Sequence, residues 1–330
     1  MSEEALLAIE NAERIFGGGR TLFGTQLPAV HAVQDITIDV RKGETLGVVG
    51  ESGCGKSTLA RLIVGLDRPT GGAITFDGRD LVADAASDPR ALARKVQYVF
   101  QDPVSSLNPR KTIRSILEAP LIHLLGMNKT QRAERLTELM DAVNLAPEFL
   151  DRYPHEFSGG QAQRIGIARA LAADPELIVL DEPVSALDVS VQAQVLNILD
   201  DLKARFGLTY VFISHDLSVV ESVSDRVAVM YFGRLAEVGP AKSVFAAPRH
   251  PYTHLLLNSA PAPGKRSLVP EDANTELPDP YNPPPGCAFY ARCPRGTDEC
   301  LAARPPLLAA ASDPLHRAAC YHPHEKTSAR

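Results

Sequence analysis

The segment Gly50-Glu51-Ser52-Gly53-Cys54-Gly55-Lys56-Ser57-Thr58 constrains the fold more than any other stretch of the chain. It lies between a short apolar run, Leu46-Gly47-Val48-Val49, and a stretch with helical apolar spacing, Thr58-Leu59-Ala60-Arg61-Leu62-Ile63-Val64. A glycine-rich loop that leaves a buried strand and opens a helix specifies an α/β sheet with a phosphate-binding loop. Glycines at 50, 53 and 55 let the backbone curl so that successive N–H groups point inward at a phosphate. Lys56 can reach the β- and γ-phosphates, and the Ser57 hydroxyl can sit on Mg²⁺. The helix that begins there adds its positive N-terminal end. A chance glycine-rich turn would not come with both a flanking strand and a flanking helix. The segment implies a nucleoside triphosphate.

Leu177-Ile178-Val179-Leu180-Asp181-Glu182 is an apolar run ending in two carboxylates. A parallel strand buried on both faces has this pattern, and ligands sit at its C-terminal end in an open α/β sheet. Asp181 is placed to hold Mg²⁺ through water, and Glu182 to orient or deprotonate an attacking water. Read alone, such a pair is equally a loop or helix cap. Between the two motifs lie Phe157-Ser158-Gly159-Gly160-Gln161 and then Ala162-Gln163-Arg164-Ile165-Gly166-Ile167-Ala168-Arg169-Ala170-Leu171. Ser158 is a natural N-cap, and the glycines leave N–H groups uncovered at a helix start, a second anion site or simply a capped helix.

The order of these motifs resembles the ATP-binding subunit of ABC transporters. Ser158-Gly159-Gly160-Gln161 is similar to the family signature, and Ser185-Ala186-Leu187-Asp188 to the loop after its catalytic carboxylate. Gln101, after Val96-Gln97-Tyr98-Val99-Phe100, matches the glutamine that senses the γ-phosphate. His215, after Thr209-Tyr210-Val211-Phe212-Ile213-Ser214, matches the switch histidine. The resemblance implies that Lys56, Ser57, Gln101 and Asp181 hold phosphate and Mg²⁺, that Glu182 activates water, and that His215 supports the γ-phosphate end. It implies a second ATPase subunit, identical or paralogous, packed head to tail so that the signature and Asp188 of one chain close over the nucleotide of the other. Phe16 is the candidate for the aromatic that stacks on adenine, with a core phenylalanine as its other reading.

A narrower resemblance points to importers of dipeptides and oligopeptides. Gln101-Asp102-Pro103-Val104-Ser105-Ser106-Leu107-Asn108-Pro109-Arg110 is similar to their segment after the sensing glutamine, and His250-Pro251-Tyr252-Thr253 with Leu255-Leu256-Leu257 to their tail after the ATPase core. Prolines 103 and 109 forbid a continuous helix and force an exposed connector, suited to passing motion to membrane subunits. The implied partners are two permease subunits and, indirectly, a solute-binding protein. Solute class belongs to those partners, so nickel, a sugar or an opine remain alternatives on the same machinery. A soluble ABC ATPase is a further alternative, but such chains carry two ATPase cores or a long coiled-coil insertion, and neither is seen here.

Composition sets bounds. With 330 residues the chain suits one large domain plus an appendage. A net charge of −6 argues against a dedicated nucleic-acid binder. No apolar stretch approaches the roughly 20 residues of a membrane span. Met1-Ser2-Glu3-Glu4 lacks the start of a signal peptide, so the expected location is the cytoplasmic face of the inner membrane, as a peripheral subunit. We expect an ATPase unit over residues 1–258, with a helical subdomain over about 103–175, and a proline-rich extension over 259–330. Pro261, Pro263, Pro270, Pro278, Pro280, Pro283, Pro284 and Pro285 predict that this extension is irregular.

Of five cysteines, Cys54 lies in the phosphate loop and Cys287, Cys293, Cys300 and Cys320 crowd the extension. Disulfides are disfavoured in a reducing cytosol, so the cluster suggests metal. Four thiolates suit zinc or an iron–sulfur cluster, although the spacing C-x5-C-x6-C-x19-C is looser than paired zinc knuckles; unligated thiols are the remaining reading. Gly286-Cys287-Ala288-Phe289-Tyr290-Ala291-Arg292-Cys293-Pro294 resembles the C-terminal extension of peptide-importer ATPases, which is associated with a [4Fe-4S] cluster. The expectation is therefore a P-loop α/β fold of ABC type that binds ATP and Mg²⁺, with a cysteine-containing tail.

Overall fold

The computed structural model describes residues 5–19, 27–259 and 278–324. Its strands are β1 (Ala5–Gly17), β2 (Ala29–Arg41), β3 (Thr45–Val49), β4 (Gly71–Phe76), β5 (Arg79–Asp80), β6 (Val96–Val99), β7 (Leu177–Asp181), β8 (Thr209–Ile213), β9 (Arg226–Tyr231), β10 (Arg234–Pro240), β11 (Leu307–Ala309) and β12 (Arg317–Ala319). An antiparallel sheet runs β2-β1-β4-β5, and a larger one runs β11-β12-β10-β9-β3-β8-β7-β6. Within the larger sheet β9, β3, β8, β7 and β6 are parallel, so their C-terminal ends share one edge. That edge receives Gln101, the phosphate loop, Asp181, Glu182 and His215.

Period-two alternation sorts the side chains of the parallel strands between two cores. Along β7, Ile178 and Leu180 enter one apolar cluster while Leu177 and Val179 enter the other; along β8, Tyr210 and Phe212 oppose Val211 and Ile213 in the same way. One cluster joins the small sheet to the helix Lys56–Ile63 through Leu59, Ala60, Leu62 and Ile63. The other carries the helices Ile113–His123, Lys129–Ala142 and Gly159–Leu171. Each of these three helices begins where the sequence offers a cap. Thr112 accepts from Ser115 N, and Asn128/Gln131 and Ser158/Gln161 form reciprocal capping boxes.

The tail departs from expectation. The prolines at 261, 263 and 270 lie outside the described residues; residues 278–289, with the other prolines, carry no helix or strand, but the chain after them is partly regular. It contains a short helix, Asp298–Ala302, and two strands that extend the main sheet, β12 pairing with β10 and β11 with β12. Sheet edges are ready templates for pairing, and β10 offers one that β12 meets at Glu237 and Val238, with β11 added outside it. The seat is polar as well as apolar. Glu237 on β10 is fully buried, accepts from Arg249 N at 2.7 Å and His250 N at 2.8 Å, and meets His316 Nε2 of the tail at 2.6 Å. Phe289 inserts beside Tyr231 and Tyr252, each 5.4 Å away between ring centroids.

Candidate active site

The phosphate loop follows β3 and wraps toward the N-terminus of the helix Lys56–Ile63. Two of its glycines are required by both dihedral and space. A Cβ on Gly50 (φ 155°) would meet the Met230 carbonyl oxygen at 2.2 Å, and one on Gly55 (φ 102°) the Ala32 carbonyl oxygen at 2.1 Å. Gly55 is the helix N-cap with no side-chain capping bond, so the first-turn N–H groups face the loop. Lys56 is buried, and its Nζ donates to the Gly50 and Glu51 carbonyls at 2.7 and 3.0 Å. Its aliphatic stem is thereby fixed with the ammonium under the loop. Ser52, Gly53, Gly55, Lys56, Ser57 and Thr58 line an open cavity with about 1260 Å³ of empty space, which also takes in Gln101, Glu182, His215, His31 and Pro280.

Three of the expected residues meet on one oxygen. Glu182 Oε2 accepts from Gln101 Nε2 at 3.0 Å and lies 3.2 Å from His215 Nδ1, bringing together the ends of β6, β7 and β8. Glu182 itself has φ 47°, in the left-handed region that a side-chain-bearing residue enters at a cost. Its N–H is held by the Ile213 carbonyl at 2.9 Å, which keeps the carboxylate at the strand edge. Asp181 is buried, and its Oδ2 accepts from the Tyr98 hydroxyl at 2.6 Å while Oδ1 has no hydrogen-bond partner among the described residues. Burial, together with this bond, pushes the Tyr98 phenol far up, so Tyr98 stays a donor. An ordered carboxylate with one free, buried oxygen fits a water-mediated Mg²⁺ ligand.

Other expected residues lie elsewhere. Cys54 is buried beneath the loop, its thiol 3.9 Å from Lys56 Nζ and pushed up by burial. Phe16 is exposed and covered by the Arg14 guanidinium at 4.4 Å, so it is not a core residue. Its register partner is Val30, which lines the cavity as Phe16 does not. Ser158, Gly159, Gly160, Gln161 and Asp188 do not line the Lys56 cavity. They sit together instead: a Cβ on Gly160 would meet Val191 Cγ1 at 2.4 Å, and one on Gly159 would meet Leu187 Cδ2 at 3.6 Å. The connector after Gln101 is exposed at Ser105, Asn108 and Arg110, pinned inward by buried Leu107 and by Arg169, which donates to the Ser106 carbonyl at 2.6 Å.

In the tail, Cys287, Cys293, Cys300 and Cys320 line one small cavity with about 290 Å³ of empty space, beside His250, Phe289 and His322. Burial pushes the Cys287 thiol up to about 11, with the other three cysteines adding to the rise. Among the described residues no group of three or more His, Cys, Asp or Glu side chains is disposed to hold a metal ion. The metal expected at these four cysteines therefore gains no coordination geometry from the fold. Sequence reasoning missed Tyr98 and Arg292, which touch Asp181 and Glu51; nothing local to either residue signals a partner so distant in the chain.

Residues 33–185 match the ABC transporter family, and residues 236–300 match the oligopeptide/dipeptide transporter C-terminal region. The chain is 48% identical over 324 residues to the oligopeptide transport ATP-binding protein AppF of Bacillus subtilis, covering 97% of this chain and 98% of that one. It is 50% identical over 284 residues to the dipeptide transport ATP-binding protein DppF of Escherichia coli, covering 84% of each. Among solved structures it is similar to the dimeric ATP-binding cassette MJ0796 bound to ADP and Pi, with 28% identity and a TM-score of 0.63 over 71% of this chain and 98% of that one.

Proposed function

The chain belongs to the ABC transporter ATP-binding family, in its oligopeptide and dipeptide branch, and on that premise we propose how its site divides the work. It is an ATPase that hydrolyses ATP to drive uptake of short peptides through partner membrane subunits. The observation that carries the catalytic reading is the meeting of Gln101, Glu182 and His215 on one side of the cavity that Lys56 and Ser57 line. The loop N–H groups and Lys56 bind the phosphates, Ser57 and Asp181 hold Mg²⁺ with Gln101, and Glu182 positions the attacking water while His215 holds the γ-phosphate end. Phe16, the register partner of cavity-lining Val30, meets the base.

The signature residues Ser158 to Gln161 and Asp188 then serve a nucleotide on a second ATPase subunit. Their separation from the Lys56 cavity supports this arrangement, in which two chains sandwich two nucleotides. The chain works as a peripheral subunit on the cytoplasmic face of the membrane. Among the described residues no helix is long and apolar enough to cross it. Motion at Gln101 passes to the permease subunits through the exposed Ser105–Arg110 connector. The ATPase unit spans 1–258, its helical part about 103–175, and the tail 259–330.

The test is Glu182→Gln. A positioned base contributes on the order of 10²–10⁴ in rate, so ATPase turnover should fall by that factor while MgATP still binds. Near-normal turnover would sink the assignment.

For the tail we propose an iron–sulfur cluster on Cys287, Cys293, Cys300 and Cys320. Four soft thiol ligands lining one cavity support it. When bound, the cluster would crosslink the tail rather than take part in hydrolysis. Anaerobically purified protein should contain about four atoms each of iron and sulfide per chain, lost when any of the four becomes serine and kept in Cys54→Ser. Stoichiometric zinc without iron, or no metal at all, would reject it.

A further inference from the structure

Arg292 of the tail reaches the phosphate loop. Its Nη1 donates to Glu51 Oε2 at 2.8 Å and its Nη2 to Glu51 Oε1 at 2.9 Å, a bidentate pair across 241 positions of chain. The Arg292 side chain is 12% exposed and that of Glu51 27%. The same loop residue is gripped a second time, since its backbone N–H donates to the hydroxyl of fully buried Tyr252 at 2.9 Å. Tyr252 packs on Tyr231 and Phe289, and the Arg292 guanidinium lies 5.7 Å from the Phe289 ring. Arg292 stands on a single helical turn, Tyr290–Arg292, between Cys287 and Cys293.

Glu51 matters because of what surrounds it. Its carbonyl accepts from Lys56 Nζ and from Cys54 N, so its position sets both the lysine and the curl of the loop. Its carboxylate is a negative charge within the loop that cradles a triphosphate. Unpaired, that charge would repel the ligand; paired bidentately with a guanidinium, it is neutralised and its backbone is fixed.

We propose that Arg292 is a positioning residue of the ATP site: the tail reaches back to neutralise Glu51 and hold the phosphate loop in its binding form. This goes beyond a structural ion pair that merely docks the tail, because it ties nucleotide affinity to a residue far from the nucleotide. It rests on the reading of the loop as the MgATP site and on nothing held by the cysteines.

The experiment measures equilibrium binding of MgATP to the full chain, and steady-state ATPase of the assembled transporter, for Arg292→Gln, Arg292→Lys, Glu51→Gln and the Arg292→Gln/Glu51→Gln double variant. Arg292→Gln leaves the carboxylate charged and should weaken MgATP binding and raise KM about tenfold, with kcat unchanged within about twofold. Arg292→Lys should restore most of the affinity. The double variant, with no charge left to repel phosphate, should bind more tightly than Arg292→Gln alone. A docking pair would behave otherwise: Arg292→Gln would lower the thermal midpoint but leave the MgATP affinity of the folded protein unchanged. That result, or a double variant no better than Arg292→Gln, overturns the proposal. If Arg292→Gln does not fold, Glu51→Asp against Glu51→Gln decides: the shortened carboxylate keeps its charge but loses the bidentate reach, so weaker MgATP binding in Glu51→Asp than in Glu51→Gln supports the proposal, and equal affinity overturns it. Failure of the wild-type chain to bind MgATP would instead overturn the reading of the loop, a distinguishable outcome.

Discussion

Among single residues, Tyr98 shows how the site prepares Asp181. A carboxylate offered to a metal must present one oxygen and keep the other occupied, or it rotates. The Tyr98 hydroxyl occupies Oδ2 at 2.6 Å and leaves Oδ1 buried and unpartnered among the described residues. Tyr98→Phe removes that bond and little else, since the ring remains stacked edge-on against Phe100 at 4.5 Å. We expect the Mg²⁺ concentration for half-maximal ATPase activity to rise about tenfold, the lower end for loss of a hydrogen bond to a charged group, with metal-free ATP affinity unchanged. An unaltered Mg²⁺ titration would show that the hydroxyl only fills space. The contrast with Lys56 marks the limit of sequence reading. Lys56 is announced by its neighbours, because the loop must curl through three glycines to present it. Tyr98 and Arg292 are announced by nothing local, since their partners are 83 and 241 positions away. What was legible is what the local backbone enforces.

At the level of elements, β10 and the turn before the helix Pro251–Ser259 carry the buried seat of the tail. His250 is wholly enclosed, and burial pushes its imidazole down from 6.5 to about 4, against Glu237, which favours the charged form; the facing His324 adds to the depression. Its Nδ1 accepts from Tyr252 N at 3.0 Å, which needs the neutral ring. The folded state thus resists protonation that the unfolded chain accepts. This stability is complete above about pH 6.5 and is lost progressively as pH falls toward about 4, on the order of 3 kcal/mol across the window. A thermal midpoint that falls steeply between pH 6.5 and 4.5, with a flatter profile in His250→Gln, is the expected outcome; parallel profiles would place the acid sensitivity elsewhere. The existence of the tail strands was not legible. Proline content argued for irregular chain, and Leu307–Ala309 is too short to carry a period of its own. They form because β10 has a free edge, a fact about the sheet and not about the segment.

For the molecule as a whole, the question is whether the tail is an appendage or part of the ATPase core. The division expected at about residue 258 rests on composition, yet Phe289 belongs to the same apolar cluster as the parallel strands, and β12 completes their sheet. A chain ending at 258 would lose the Phe289 side chain from between Tyr231 and Tyr252, an aromatic deletion that costs roughly 3–5 kcal/mol. It would also open the β10 edge and strip His316 from fully buried Glu237. We expect the thermal midpoint of that truncation to fall by on the order of 10 °C, with concentration-dependent association through the uncovered edge. Adding Glu237→Gln should recover part of the loss, because a buried carboxylate short of a partner costs more than a neutral amide in the same place. A truncated chain that stayed monomeric with an unchanged midpoint would show the tail to be a separable unit, resting on the core without supporting it. The pairing of Arg292 with Glu51 argues for the other outcome, since it runs from the tail to the loop on which ATP binding depends.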